Sequence, residues 1–221
     1  QRAQRLRLDG ATSEKTPMLS EEQMPERVEV RNAFPTPIAM AMLPDAEKLN
    51  RKLKKLILAR EKKEAPRDTY DSNIGGWHSE RNLLEWGGTG GEQIIESARL
   101  LADRMTASRS GRPTDVEWKV NAWANINRTG HSNEFHVHPG CFWSGVYYVD
   151  DAGCADDKTL GGEFVIMDPR GPGPSMYAPS LCFHGPGGNS VGATELLSPR
   201  SGVMLMFPSW LSHGVRPYHG S

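Results

Sequence analysis

Two histidines stand one residue apart in the segment HSNEFHVHPG, residues 131 to 140. In an extended strand, side chains two residues apart point to the same face, so His136 and His138 can present their imidazoles together. Two neutral imidazoles at this spacing can bind one transition-metal ion. Pairs of this kind also occur on ordinary protein surfaces, and the spacing alone does not separate the two interpretations.

A third histidine, His213, is placed to complete a metal site. It ends the segment SGVMLMFPSWLSH (201–213), whose apolar run is typical of a buried strand. A histidine at the end of such a strand can face the same cavity as the HxH pair if the fold brings distant strands together. The sequence therefore predicts a metal centre built from His136, His138 and His213.

A polar strand face is predicted beside these histidines. In the segment 119–127, one face carries three asparagines and a tryptophan, and the other carries apolar residues that can lie under helices. Buried amides need hydrogen-bond partners, so the asparagine face is expected to line a wet cavity, or else to be a solvent-exposed edge. The residues of this polar face are Asn121, Trp123, Asn125 and Asn127.

Two helices and a β-rich C-terminal half are predicted to position these side chains. Leucine and isoleucine recur at helical spacing over 46–62, where Asp45 is expected to be the N-cap, and a second apolar stripe predicts a helix over about 91–107. From residue 116 onward, short strand-like segments alternate with glycine and proline. The predicted strands are 27–34, 116–127, 141–151, 161–169 and 202–210.

The N-terminal residues differ in composition from the rest of the chain. Residues 1–27 are polar and without periodicity, which predicts an N-terminal arm, and 28–221 are expected to form a single domain. The segment 72–86 is predicted to be a loop. The pocket rim is expected to be built from its first part, 72–79, and from the loop 170–198, and His78 could line the mouth of the pocket.

Composition excludes several classes of function. The formal net charge is -1 over 221 residues, so nothing suggests a nucleic-acid partner, and no apolar run approaches the roughly 18 residues that cross a membrane. Three cysteines without a CxxC pair are typical of reduced thiols, which favours a cytoplasmic protein. The expected partner is a small-molecule or peptide substrate, and a homodimer is compatible with the composition.

At this point the motifs resemble the 2-oxoglutarate/Fe(II) oxygenase superfamily, specifically a bacterial branch of oxygenases related to the prolyl-hydroxylase type. The likeness rests on NAWANINRTGHSNEFHVHPG with SGVYYV, on GGEFVIMDPR and on GVMLMFPSWLSHGVRPY. It implies a mainly β fold with bracing helices, a double-stranded β-helix of the jelly-roll or cupin-like barrel type. It also implies Fe(II) and 2-oxoglutarate as cofactors, with hydroxylation of a substrate by O2 and release of succinate and CO2.

The resemblance assigns roles to individual residues. His136 matches the first metal ligand of the superfamily, His213 matches the distal histidine, and His138 stands where a carboxylate is usual. Asn127 matches a tyrosine that contacts the co-substrate, by its spacing from Gly130. Tyr148 matches a tyrosine that reaches the distal carboxylate of 2-oxoglutarate, although a core aromatic is an equal interpretation.

Two departures from the superfamily pattern leave alternatives open. Three-histidine iron sites also serve dioxygenases that bind substrate without a 2-oxo acid, and Glu134 could supply a carboxylate ligand instead. An Arg or Lys usually follows the distal histidine by about ten residues and binds the co-substrate carboxylate, a position beyond Ser221, so the last barrel strand is expected to lie outside this sequence. A barrel that binds without catalysis is the third alternative.

Overall fold

The structure is a computed structural model that describes residues 28–64, 72–112, 116–171, 180–185, 188–190 and 194–220. The three α-helices in these ranges are α1 (Ala46–Glu61), α2 (Leu83–Trp86) and α3 (Gly88–Met105), and a short 3-10 helix spans Lys158–Leu160. The first six strands are β1 (Ala39–Met42), β2 (Asn73–Ile74), β3 (Trp77–His78), β4 (Asn125–Ile126), β5 (Ser132–His136) and β6 (Trp143–Tyr147). The other six are β7 (Phe164–Met167), β8 (Phe183–Gly185), β9 (Gly188–Ser190), β10 (Thr194–Leu197), β11 (Val203–Pro208) and β12 (His213–Val215).

The chain divides into two compact units. One takes its described residues from 28–35 and 170–194, and within it β8 and β9 pair as an antiparallel hairpin. The other comprises 36–169 and 195–221 and holds the three histidines. The predicted N-terminal arm, 1–27, lies outside the described residues.

The larger unit contains two main β-sheets. The three-stranded sheet has the order β1-β11-β6, and the five-stranded sheet has the order β10-β7-β12-β5-β2. The pairs formed by β11 with β1 and β6, and by β12 with β5 and β7, are all antiparallel. A smaller sheet pairs β3 with β4.

The strand β11 is buried on both faces. Its alternate residues Val203, Leu205 and Phe207 pack against Phe164 and Ile166 of β7, so the two sheets face each other across an apolar core. The intervening Met204 packs instead with Leu49 and Leu53 of α1. Helices therefore cover the outer face of the three-stranded sheet, as the prediction of a mainly β fold with bracing helices requires.

The two predicted helices are present with small shifts of their ends. The helix predicted over 46–62 is α1, and the helix predicted over about 91–107 is α3, which begins three residues earlier. Asp45 does precede α1, but its φ is 51° and its side chain makes no capping hydrogen bond. No helix in the described ranges is both long and apolar enough to cross a membrane.

Several strand predictions were wrong. Described residues of 27–34 contain no strand, and the edge strand is β1, further along the chain. The strand predicted over 116–127 is reduced to β4, whereas the segment 72–86, predicted as a loop, contains β2 and β3. The predicted loop 170–198 contains β8, β9 and β10, and β10 joins the edge of the five-stranded sheet.

Candidate metal centre

Strand pairing brings His136 and His213 together. His136 is the last residue of β5, His213 is the first residue of β12, and the two are direct partners across the antiparallel pair. Their ring centroids lie 4.3 Å apart. The proximity is thus set by backbone register, which the pairing of β12 on its other side with β7 holds in place.

His138 reaches the same point from the turn that follows β5. Its backbone N–H donates to the carbonyl oxygen of Ser209 at 2.9 Å, and the Ser209 hydroxyl donates to the carbonyl oxygen of Cys141. The Ser209 N–H donates to the carbonyl oxygen of Phe142 at 3.2 Å. Buried Ser209 therefore ties the whole turn 138–142 to the end of β11.

The three imidazoles form one cluster of possible ligands. One ring nitrogen from each of His136, His138 and His213 lies within 4.8 Å of the others, and the Nε2 atoms of His138 and His213 are 3.3 Å apart. Two nitrogens bound about 2.1 Å from one metal at a right angle are separated by about 3 Å. The arrangement therefore fits adjacent positions of a single coordination sphere. In the described part of the chain this cluster contains imidazoles alone, without Glu134.

Backbone carbonyls fix the orientation of two rings. Nδ1 of His136 donates to the carbonyl oxygen of Glu134 at 2.8 Å, and Nδ1 of His213 donates to that of Leu211 at 2.7 Å. A neutral imidazole that donates through Nδ1 keeps the lone pair on Nε2. Both residues are thereby held in the tautomer that binds metal through Nε2.

The surroundings of His138 and His213 favour the uncharged form of these two rings. His213 lies between Phe164, at a ring distance of 5.2 Å, and Phe207, at 4.7 Å. Burial lowers the pKa of His213 to about 4, against the opposing effect of its hydrogen bond to the Leu211 carbonyl. Burial also lowers the pKa of His138, followed by the charges of His136 and Arg81. Near neutral pH these two imidazoles are free of protons that would compete with a metal.

The two residues assigned to the co-substrate lie in different surroundings. Asn127 donates through Nδ2 to Oδ1 of Asn133 at 3.0 Å, and its own Oδ1 is buried without a partner among the described residues. Tyr148 packs against the core between the sheets, and burial raises its pKa. Neither has a ring contact or hydrogen bond to the three histidines in the described ranges, so both assignments stay predictions.

A stack of three side chains lies beside His138, and the sequence had placed two of them, His78 and Trp123, near the pocket but had not assigned Arg81. The Trp123 ring lies 6.0 Å from the His138 ring and 5.3 Å from the buried ring of His78. The guanidinium of Arg81 lies over the same indole, 5.2 Å from its centre. The place of Trp123 on the predicted polar face was the available signal, because that face was expected to line the cavity.

The C-terminal part of the chain matches a known family. Residues 121–221 match the family described as "Putative 2OG-Fe(II) oxygenase". This range contains all three histidines of the cluster, Asn127 and Tyr148. No curated protein matches the chain significantly.

Solved structures show the same fold. A prolyl-4-hydroxylase from Pseudomonas putida is 14% identical, with a TM-score of 0.52 over 83% of this chain and 86% of that one. A prolyl hydroxylase from Trichoplax adhaerens, in complex with a hypoxia inducible factor oxygen degradation domain peptide fragment, is 11% identical, with a TM-score of 0.57 over 83% and 78%. The predicted double-stranded β-helix is confirmed. Over residues 121–221 the chain is therefore similar to 2-oxoglutarate/Fe(II) oxygenases, and Fe(II) and 2-oxoglutarate are the cofactors that the description of this family names.

Proposed function

We propose that this protein hydroxylates a small-molecule or peptide substrate with O2, using Fe(II) held by His136, His138 and His213 and releasing succinate and CO2 from 2-oxoglutarate. The observation that carries the proposal is the convergence of three imidazoles within 4.8 Å, inside the range that matches the oxygenase family. Three protein ligands on one side of an iron leave positions for a chelating 2-oxo acid and for O2.

Backbone carbonyls and aromatic rings around the three histidines would orient and shield the metal ligands. The carbonyl oxygens of Glu134 and Leu211 hold the rings of His136 and His213 in their Nδ1–H tautomer. Phe164 and Phe207 exclude water from the His213 side. When bound, Fe(II) with 2-oxoglutarate supplies oxidative decarboxylation and the activation of O2. Neutral histidine ligands leave two positive charges on the metal, and the dianionic co-substrate balances them.

The test is the visible spectrum of the protein under anaerobic conditions, first with Fe(II) and then with 2-oxoglutarate. We expect one iron per chain and a new metal-to-ligand charge-transfer band when the co-substrate chelates it. The variant His213→Ala should lose iron because it removes one of three ligands. The matched control is His219→Ala, which removes an exposed histidine outside the cluster and should keep the iron.

Each result has a separate meaning. If His213→Ala retains stoichiometric iron while its circular dichroism is native, the proposed ligand set is wrong. If the wild-type protein takes up no iron, the metal centre itself is refuted. If iron binds and no band develops with 2-oxoglutarate, the hydroxylase proposal fails at the co-substrate step.

A second candidate function is a three-histidine dioxygenase that acts on a metal-bound substrate without a 2-oxo acid. The all-imidazole composition of the cluster favours it, since the superfamily usually has a carboxylate where His138 stands. Iron binding without the charge-transfer band would support this candidate. A non-catalytic barrel is the remaining alternative, and iron-free protein from a tag-free purification would support it.

We further propose a cytoplasmic setting without nucleic-acid or membrane partners, and leave open a homodimer. The three cysteines Cys141, Cys154 and Cys182 are all unpaired, as expected in a reducing compartment. Fractionation of the source cells with an antibody would contradict the proposal if the protein were recovered outside the cytoplasm.

A further inference from the structure

The three proposed metal ligands are not held in the same way. Nδ1 of His136 and Nδ1 of His213 each donate to a backbone carbonyl oxygen, at 2.8 and 2.7 Å. Among the described residues, the His138 ring has a hydrogen-bond contact only between its Nε2 and Nε2 of His213. Those two atoms are the ones that would face a metal, so metal binding would replace this contact. The His138 ring must therefore be oriented by another means.

The backbone of His138 is fixed, but this does not fix its ring. The His138 N–H donates to the carbonyl oxygen of Ser209 at 2.9 Å, which sets the place of the backbone. The two side-chain torsions of a histidine are not restricted by such a bond and still allow several orientations of the imidazole. The orientation of this ring then has to come from packing against its neighbours.

Trp123 is the neighbour that packs on the His138 ring from outside the cluster. Among the described residues, the rings close to His138 are those of His136, His213 and Trp123. The first two are proposed ligands themselves. The centre of the Trp123 ring lies 6.0 Å from that of His138 with the planes at 50°, a separation at which aromatic pairs stabilise each other.

The indole of Trp123 is itself held in place. The His78 ring stacks on it at 5.3 Å with the planes only 23° apart, and the guanidinium of Arg81 lies 5.2 Å from its centre. Both neighbours of Trp123 in the chain are hydrogen-bonded to the segment 79–83. A ring fixed in this way can set the orientation of the side chain that packs against it.

We propose that Trp123 is the positioning residue of His138, and that its indole orients this ligand as the carbonyl oxygens orient the other two. The inference rests on the ligand set of the proposed function. Ring packing fixes the plane of an imidazole but not the nitrogen that carries the proton. His138 is therefore the ligand whose contribution to metal binding depends on one aromatic side chain.

The first test is the affinity of the metal-free protein for Co(II), a coloured substitute for Fe(II). Trp123→Leu should bind Co(II) roughly tenfold more weakly and with an altered visible spectrum, because an outer residue that orients a ligand is lost. Trp123→Phe keeps an aromatic face and should recover most of the affinity. The matched control is Trp86→Leu, since Trp86 is also half-buried with a guanidinium over its ring, that of Arg60 at 5.6 Å, and it should bind Co(II) like the wild type.

A double-mutant cycle shows whether the effect passes through His138. In the His138→Ala background, Trp123→Leu should cause no further loss of Co(II) affinity, because the ligand that the indole orients is absent. In the His136→Ala background, Trp123→Leu should keep its roughly tenfold effect.

Proton NMR of the wild-type Co(II) protein tests the difference between the ligands without any substitution. The paramagnetic ion shifts the ring N–H protons of bound imidazoles away from the other signals. The protons of His136 and His213 should exchange slowly with water, because they are hydrogen-bonded to carbonyl oxygens. The proton of His138 should exchange faster. This measurement decides the question even if Trp123→Leu does not fold.

The outcomes separate this inference from the proposed function. Unchanged Co(II) affinity in Trp123→Leu with native circular dichroism overturns the inference, and so does an equal loss in the His138→Ala background or three equally slow N–H protons. A weakened Trp123→Leu variant beside iron-loaded wild-type protein that gives no band with 2-oxoglutarate supports the inference and overturns the hydroxylase. Wild-type protein that binds no Co(II) overturns both.

Discussion

At the scale of single residues, the surroundings of His138 and His213 favour the neutral form of each imidazole. His213 is 3% exposed and packed between two phenylalanine rings, whereas His136 and His138 are partly buried. An imidazolium at such a position would lose most of its hydration, so the native fold disfavours the proton. The same environment that prepares the rings for a metal makes the metal-free protein sensitive to acid.

The metal-free protein should lose stability as the pH falls from 6.5 towards 4. An unfolded chain protonates His213 near pH 6.5, while the native chain resists protonation until about pH 4. Because the unfolded state then binds more protons, acid favours unfolding, by about 2 kcal/mol from His213 between pH 7 and pH 5. The lowered pKa of His138 acts in the same direction. Urea unfolding in the presence of a chelator at the two pH values measures the difference.

The variant His213→Gln provides the control for this pH dependence. Glutamine does not titrate, so the difference in unfolding free energy between pH 7 and pH 5 should shrink in the variant, whatever its absolute stability. An equal pH dependence in both proteins would show that His213 does not carry the effect.

Site residues could be predicted from the sequence where local spacing alone determines which way their side chains point. His136 and His138 could be paired from sequence because the period of a strand puts them on one face. Arg81 could not be placed, because its position depends on hydrogen bonds to Ala122 and Ala124 and on packing against Trp123. The roles of Asn127 and Tyr148 are still predictions, since they came from resemblance.

At the scale of elements, β11 contacts both the core between the two sheets and the helix α1. Leu205 is 1% exposed and packs into the core between the sheets, while the neighbouring Met204 packs towards α1. Phe207 of the same strand touches His213, so packing of β11 also shapes the metal centre.

Truncation of β11 in the core should be costly. Leu205→Ala is expected to lower the free energy of unfolding by about 2–5 kcal/mol, because the close-packed core cannot fill the space left by the side chain. Leu100→Ala on α3 makes the same chemical change at a side chain that is 60% exposed, and should change stability by less than about 0.5 kcal/mol. Equal losses in the two variants by urea unfolding would contradict the assignment of Leu205 to the core.

The elements that the sequence predicted are those with a strong local pattern. The apolar repeat of α1 and α3 is long enough to specify a helix, and the apolar run of β11 could only be buried. The strand β1 has the sequence AMAM, which carries no strand preference of its own and becomes a strand by pairing with β11. The Gly- and Pro-rich composition of 170–198 favoured a loop, and pairing with β7 made β10 a strand.

At the scale of the larger unit, charged pairs join α1 to two connecting segments of the β-sheets. Lys54 in the middle of α1 pairs with Asp150, which follows β6. At the end of α1, Glu61 accepts two hydrogen bonds from Arg128, at 2.7 and 2.8 Å, and Arg128 lies between β4 and β5. The hydrogen bond from Arg128 is the main cause that lowers the pKa of Glu61.

The Glu61–Arg128 pair should contribute a small coupling that salt removes. The pair is bidentate and the Arg128 side chain is 53% exposed, so its coupling free energy should lie near the upper end of the range for surface ion pairs. A double-mutant cycle of Glu61→Gln and Arg128→Gln should give about 0.5–1 kcal/mol at low ionic strength. The coupling should shrink in about 1 M NaCl, where charges are screened within roughly 3 Å. The pKa of the Glu61 carboxyl is lowered in the folded protein. The coupling should therefore persist at pH values above the ordinary carboxyl pKa of 4.5 and be lost when the pH falls below that value. No coupling at low salt would mean that packing of Leu49 and Leu53 holds α1 without help from this pair.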